Sequence, residues 1–200
     1  MPPPKPLTMY KYFMLAGLIA FGACHKTADA PAVTHPQMDY TGINQEVSFG
    51  QAIYIDPDNN GSKDFLFYTI MVGDPLLKKD YYQYHFGSSY AASVAVDSLT
   101  DQTPALAKNA AISGTTPAGL QWYNASGVMM TRKVVGNTGP PSWEGSWTNA
   151  HHQYLAIRIQ RAGLLYYGWL EVSFDTATEK TTVHRAAICR EAEKEIRAGW

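Results

Sequence analysis

Charge and cysteine are both scarce in this chain. Only 16% of its 200 residues are charged, with 16 Lys and Arg set against 17 Asp and Glu. That balance argues against a nucleic-acid partner, whose phosphates call for a basic excess. Two cysteines permit at most one disulfide. No apolar run approaches the ~20 residues that a helix needs to cross a bilayer. G-x-S-x-G, H-E-x-x-H and Walker motifs are all missing, so no familiar hydrolase, metalloprotease or nucleotide-binding chemistry is indicated. Aromatics make up 12%, beside 16 Gly and 12 Pro, a composition that favours strands and turns over helices.

The N-terminus reads as an address. Lys5 and Lys11 precede an apolar run from Tyr12 to Ala23. A basic stretch followed by a short apolar one is a secretory signal. Met9 offers an alternative start with a shorter basic region. The run ends Phe21-Gly22-Ala23-Cys24, and small residues just before a cysteine resemble the lipobox of bacterial lipoproteins. That resemblance implies a signal peptide over 1–23, cleavage before Cys24, and acylation of Cys24. Phe21 stands where the family usually has Leu. The alternative is an ordinary signal peptide with a chance cysteine. With Cys24 lipidated, Cys189 is the one remaining thiol, and several acyl chains suffice for stable anchoring. Residues 24–40 read as a polar tether. His25, in place of the Asp that often marks inner-membrane retention, implies outer-membrane attachment within the cell envelope.

Residues 41–200 read as one all-β domain, an antiparallel β-sandwich or flattened barrel. Phe65 to Val72 is a continuous apolar and aromatic run, expected to be a strand buried on both faces. Tyr81 to Phe86 and Ser93 to Val96 follow as strands. Leu155, Ile157 and Ile159 alternate with Arg158 and Gln160; Leu170, Val172 and Phe174 alternate with Trp169, Glu171 and Ser173. With Thr181 to Cys189 as a third strand, and turns at Arg161-Ala162-Gly163 and Asp175 to Thr178, the C-terminal part is a meander. Ala105 to Ala111 is expected as a short helix, Gly136 to Trp147 as a long Gly/Pro/Trp loop, and Arg190 to Trp200 as a helical turn.

One loop carries recognisable chemistry: Asp56-Pro57-Asp58-Asn59-Asn60-Gly61-Ser62-Lys63-Asp64. Oxygen-bearing side chains recur at alternate positions, and Gly61 permits a sharp bend, which suits a hard cation such as Ca²⁺. Phe67 stands where an EF-hand needs a bidentate Glu. The flanking strands instead resemble the calcium hairpin of FG-GAP repeats, D-x-[DN]-x-[DN]-G-x-x-D. By that resemblance Asp56, Asp58, Asn60 and Asp64 give side-chain oxygens and Ser62 its carbonyl. The motif occurs once, so a propeller is not expected. The alternative is a polar hairpin whose Asp and Asn side chains cap backbone amides without metal. The same turn, with Tyr166-Tyr167-Gly168-Trp169-Leu170-Glu171-Val172-Ser173, also resembles a pattern in secreted bacterial β domains of unassigned function.

The other candidates are weaker in chemistry. Trp122, Tyr123, Trp143 and Trp147 fall in or beside loops, where rings stack on sugars or, alternatively, cover the ends of the core. Glu144 and Glu171 are an acid–base pair only if folding brings them to about 5–9 Å. His151 and His152 make a poor joint metal site, because adjacent residues on a strand point to opposite faces, and the pair reads as a solvated entry from loop to strand. Cys189 sits in an apolar strand as an inert thiol. Asp97-Ser98-Leu99 and Asp175-Thr176-Ala177 resemble a bacterial O-glycosylation signal. The expectation is a non-enzymatic, lipid-anchored envelope protein with a structural cation hairpin. Its partners are the membrane and either glycans or other envelope proteins, with no nucleic acid. A carbohydrate-binding surface lipoprotein is the alternative, and a glycan hydrolase a more distant one.

Overall fold

The computed structural model describes residues 1–4, 35–117, 119–124 and 126–200. Cys24, the signal segment after residue 4 and most of the expected tether lie outside them. The described residues form thirteen strands and no helix. They are β1 (Met38–Ser48), β2 (Ala52–Ile55), β3 (Phe65–Asp74), β4 (Lys79–Ser88), β5 (Ala92–Asp97), β6 (Ala111–Ile112) and β7 (Leu120–Tyr123). After them come β8 (Val128–Gly136), β9 (Ser142–Glu144), β10 (Gln153–Arg161), β11 (Leu164–Asp175), β12 (Lys180–Cys189) and β13 (Ile196–Arg197).

Two open sheets carry the fold, in the orders β1-β12-β11-β10-β5-β7 and β2-β3-β4-β8-β9. All their strand pairs are antiparallel. Both sheets keep free edges, so the sandwich form of the expectation holds and the flattened barrel does not. Inward residues of the first sheet, among them Val94, Leu155, Ile157, Leu170, Val172 and Val183, share one buried cluster with Ile55, Phe65, Phe67, Phe86 and Met130 of the second. Phe86 stacks on Phe65 at 5.3 Å between centroids and meets Phe67 edge-on at 4.7 Å. Such pairs contribute roughly 0.5–1.5 kcal/mol beyond area burial.

The meander β10–β11–β12 follows the predicted alternation. Ala162 and Gly163 both take positive φ, 50° and 83°, as a two-residue hairpin requires. Gly168 is needed for another reason. A Cβ there would lie 2.4 Å from the Ala187 carbonyl oxygen and from Ile188 Cδ1.

Several expectations are corrected. Phe65 to Val72 is not buried on both faces: Met71 is 58% exposed, and Ile70 and Val72 are exposed too. The neighbouring β2 pairs only as far as Tyr68, so the outer half of β3 is a sheet edge. Ala105 to Ala111 forms no helix, because the Leu106 N–H and C=O are both spent on Tyr154 at 2.9 Å. Gly136 to Trp147 is not wholly loop, since β9 pairs with the edge of β8. Arg190 to Trp200 is not a helical turn; β13 pairs with β6 there. Together β6 and β13 cover the outer face of the first sheet, burying Tyr154, Tyr167, Trp169 and Cys189 against Ile112, Ile196 and Ala198. Met38 to Tyr40 lie in β1, paired with Cys189 to Ala187, rather than in a tether.

Candidate functional site

The Asp-rich loop closes between β2 and β3, where the Asp64 amide donates to the Ile55 carbonyl at 3.0 Å. Its conformation is built by its own acidic side chains. Asp56 accepts from the Gly61 amide at 2.8 Å and the Asn60 amide at 3.2 Å. Asp58 accepts from the Asn60 side-chain amide at 3.0 Å, and Asn60 Oδ1 accepts from the Ser62 amide at 2.7 Å. Gly61 sits at φ 90°, the bend that a side chain would strain. A second tie runs to β1: Asn59 donates to Thr41 Oγ1 at 2.8 Å, and Thr41 donates to the Pro57 carbonyl at 2.9 Å.

Carboxylate oxygens of Asp56, Asp58 and Asp64 lie within 4.8 Å of one another. Arg161, at the end of β10, pairs with Asp58 and places its guanidinium over the Tyr166 ring. Asp64 is 4% exposed, and its Oδ2 has no hydrogen-bond partner. The Asp64 pKa is raised from 3.8 to about 6, by burial first and then by the Asp58 and Asp56 charges, with Arg161 opposing them. Of the five expected ligands, folding therefore gathers three carboxylates. Asn60 and Ser62 remain exposed; the Asn60 side chain is used within the loop, by Asp58 and by the Ser62 amide. Phe67 points into the core, which agrees with the absence of an EF-hand geometry.

The aromatic platform does not assemble. Trp147 is fully buried, its Nε1 donating to the Thr103 carbonyl at 2.9 Å, so it is a core residue and not a ligand ring. The physical reason is position: the turn after β9 returns to β8, where the Trp147 amide donates to the Met130 carbonyl at 3.3 Å within the cluster shared by both sheets. Trp143, on β9, packs against Phe174 and Tyr84 at 5.1 and 6.0 Å. Trp122, on β7 of the other sheet, donates to Ser113 and lies beneath the Arg158 guanidinium at 5.0 Å. Only Tyr123 is open to solvent. Glu144 pairs with Arg132 on the second sheet, whereas Glu171 belongs to the first.

Sequence reasoning missed a polar cluster on the first sheet. Glu171 is buried and accepts from His152 Nδ1 and Arg185 Nε, both at 2.5 Å. His152 stacks on His184 at 4.2 Å and meets His151 edge-on at 4.5 Å. Alternation hid this for two reasons. His151 and His152 do stand exposed at the entry to β10, but His152 takes φ 48°, so it does not follow strand alternation, and the register slips between Glu171 and Val172, leaving His184 as an extra residue in β12. Burial and the neighbouring His152 lower the His184 pKa. Cys189 is buried, and burial raises its pKa, as expected of an inert thiol. Thr176 occupies the β11–β12 turn and donates to Asn149 at 2.6 Å.

The chain matches no known protein family, no curated protein and no solved structure.

Proposed function

We propose that this chain is a non-enzymatic β-sandwich of a bacterial cell envelope, anchored through Cys24, whose Asp56–Asp64 hairpin holds a structural Ca²⁺. The observation that carries the cation is Asp64. A buried carboxylate without a donor for Oδ2, facing two further carboxylates within 4.8 Å, is costly unless a positive charge joins it. Arg161 offsets one of the three charges. All the candidate donors are oxygens, which favours a hard cation over zinc or copper. Asp56, Asp58 and Asp64 would hold it, and the gain would be order in the β2–β3 loop rather than chemistry.

The anchor rests on the lipobox resemblance around Cys24, and outer-membrane attachment on His25 after it. Incorporation of a labelled fatty acid that disappears in Cys24→Ala supports the anchor; unchanged labelling overturns it. The cation is tested by melting the protein in millimolar Ca²⁺ and in EDTA. A higher melting temperature in Ca²⁺, lost in Asp56→Asn, supports the site, since a ligand that binds only the folded state stabilises it. Identical melts in both buffers overturn it.

A further inference from the structure

Two open depressions meet beside the cation loop. One, of about 180 Å³, is walled by Tyr54, Leu66 and Gly87; the other, of about 380 Å³, by Tyr90, Gln160 and Arg161. Lys63, Asp64 and Ser89 line both, so the two adjoin there and together make a groove beside the loop. A tyrosine stands in each half. Tyr54 is 60% and Tyr90 98% exposed, although a large ring normally buries most of its area.

The Tyr90 loop is firmly held. The Asn124 side-chain amide shares its two N–H groups among the carbonyls of Ser89, Tyr90 and Ala92, at 2.5, 3.1 and 2.6 Å. Backbone bonds of 2.7 Å tie Ser89 to Asp64 and Gln160 to Ala91. With the backbone already pinned, binding has only the two torsions of the Tyr90 ring left to order. Between the rings, the groove offers hydroxyl and amide groups, and its charges largely cancel, with Lys63 and Arg161 against the acidic loop. Such a lining favours a neutral ligand with apolar faces and many hydroxyls over a strongly charged one.

We propose that this groove binds a neutral glycan chain, with Tyr54 and Tyr90 stacking on its sugar rings and the polar groups between them bonding its hydroxyls. The inference builds on the proposed cation site, which shares Asp64 with the groove, but the stacking rings do not depend on it. The full chain is probed on an array of neutral plant, fungal and bacterial oligosaccharides, in Ca²⁺ and again in EDTA. The strongest binder is then titrated calorimetrically against Tyr54→Ala, Tyr90→Ala and, as a control, the exposed Tyr123→Ala. The expected result is weakening of at least about tenfold in each groove variant, unchanged melting temperatures, and no change in the control. No binder in either buffer, or equal loss in Tyr123→Ala, overturns the proposal. A melting response to Ca²⁺ without glycan binding defeats the groove alone. Glycan binding without a melting response defeats the cation reading alone.

Discussion

Replacing Asp64 by Asn isolates the electrostatic strain in the loop with almost no change of shape. The Asp64 pKa is raised from 3.8 to about 6. Two units at about 1.36 kcal/mol each set an upper bound of about 3 kcal/mol on the cost of ionising it in the fold. The sign follows from linkage. The folded value lies above the unfolded one, so the folded state binds the proton more tightly. The contribution to stability is full below pH 3.8 and is lost as pH rises through about 6. Asn cannot ionise, and its amide can donate to the neighbouring carboxylates of Asp56 and Asp58. In EDTA near neutral pH, Asp64→Asn is therefore expected to exceed the wild type by about 1–3 kcal/mol, and the gap to close as pH falls toward about 4. In millimolar Ca²⁺ the order narrows or reverses, because only the wild type keeps the third carboxylate. Urea denaturation across that pH range measures both curves. A variant no more stable than the wild type at neutral pH in EDTA, or a gap that persists unchanged in acid, refutes the reasoning.

Further outcomes follow from the packing. Trp147→Ala removes a fully buried ring and one of the two side-chain donors to the Thr103 carbonyl, the Ser146 hydroxyl at 2.7 Å being the other; a loss of about 3–5 kcal/mol is expected in denaturant titrations, with no effect that depends on glycans. Gly168→Ala forces a methyl into the Ala187 carbonyl and Ile188, so a loss of about 1–3 kcal/mol is expected, and a neutral result would contradict the close approach of β11 to β12. His184 has its folded pKa lowered from 6.5, so its contribution is full above that value and is lost as pH falls through the folded value. His184→Gln is accordingly expected to flatten the acid limb of the stability curve below about pH 6.5, and an unchanged limb would remove His184 from the account.

Much of the first sheet was legible because its signals are local. Leu155, Ile157 and Ile159 on β10, and Leu170, Val172 and Phe174 on β11, alternate strictly, and Ala162-Gly163 is a turn that few other residues make. The Asp-rich loop was legible for the same reason, since its hydrogen bonds run between residues two to five apart. Long-range features were hidden. Nothing in Ile196 or Ala198 announces that the C-terminus returns to cover Trp169, and nothing in Ile70 to Val72 tells an exposed edge from a buried strand. Arg161 lies over a hundred positions from Asp58, so its pairing there follows from sheet packing alone. Tyr54 and Tyr90 look like any strand and loop tyrosines until the fold places them on either side of Asp64.

The central claim is that the β2–β3 hairpin is a cation site, and calorimetric titration of the metal-free protein with Ca²⁺ tests it most directly. A single binding event, abolished in Asp64→Asn and in Asp56→Asn while both variants remain folded, is the result expected from three carboxylates within 4.8 Å of one another. Absence of any binding heat at every temperature tried, together with a melting temperature indifferent to Ca²⁺, would contradict the claim.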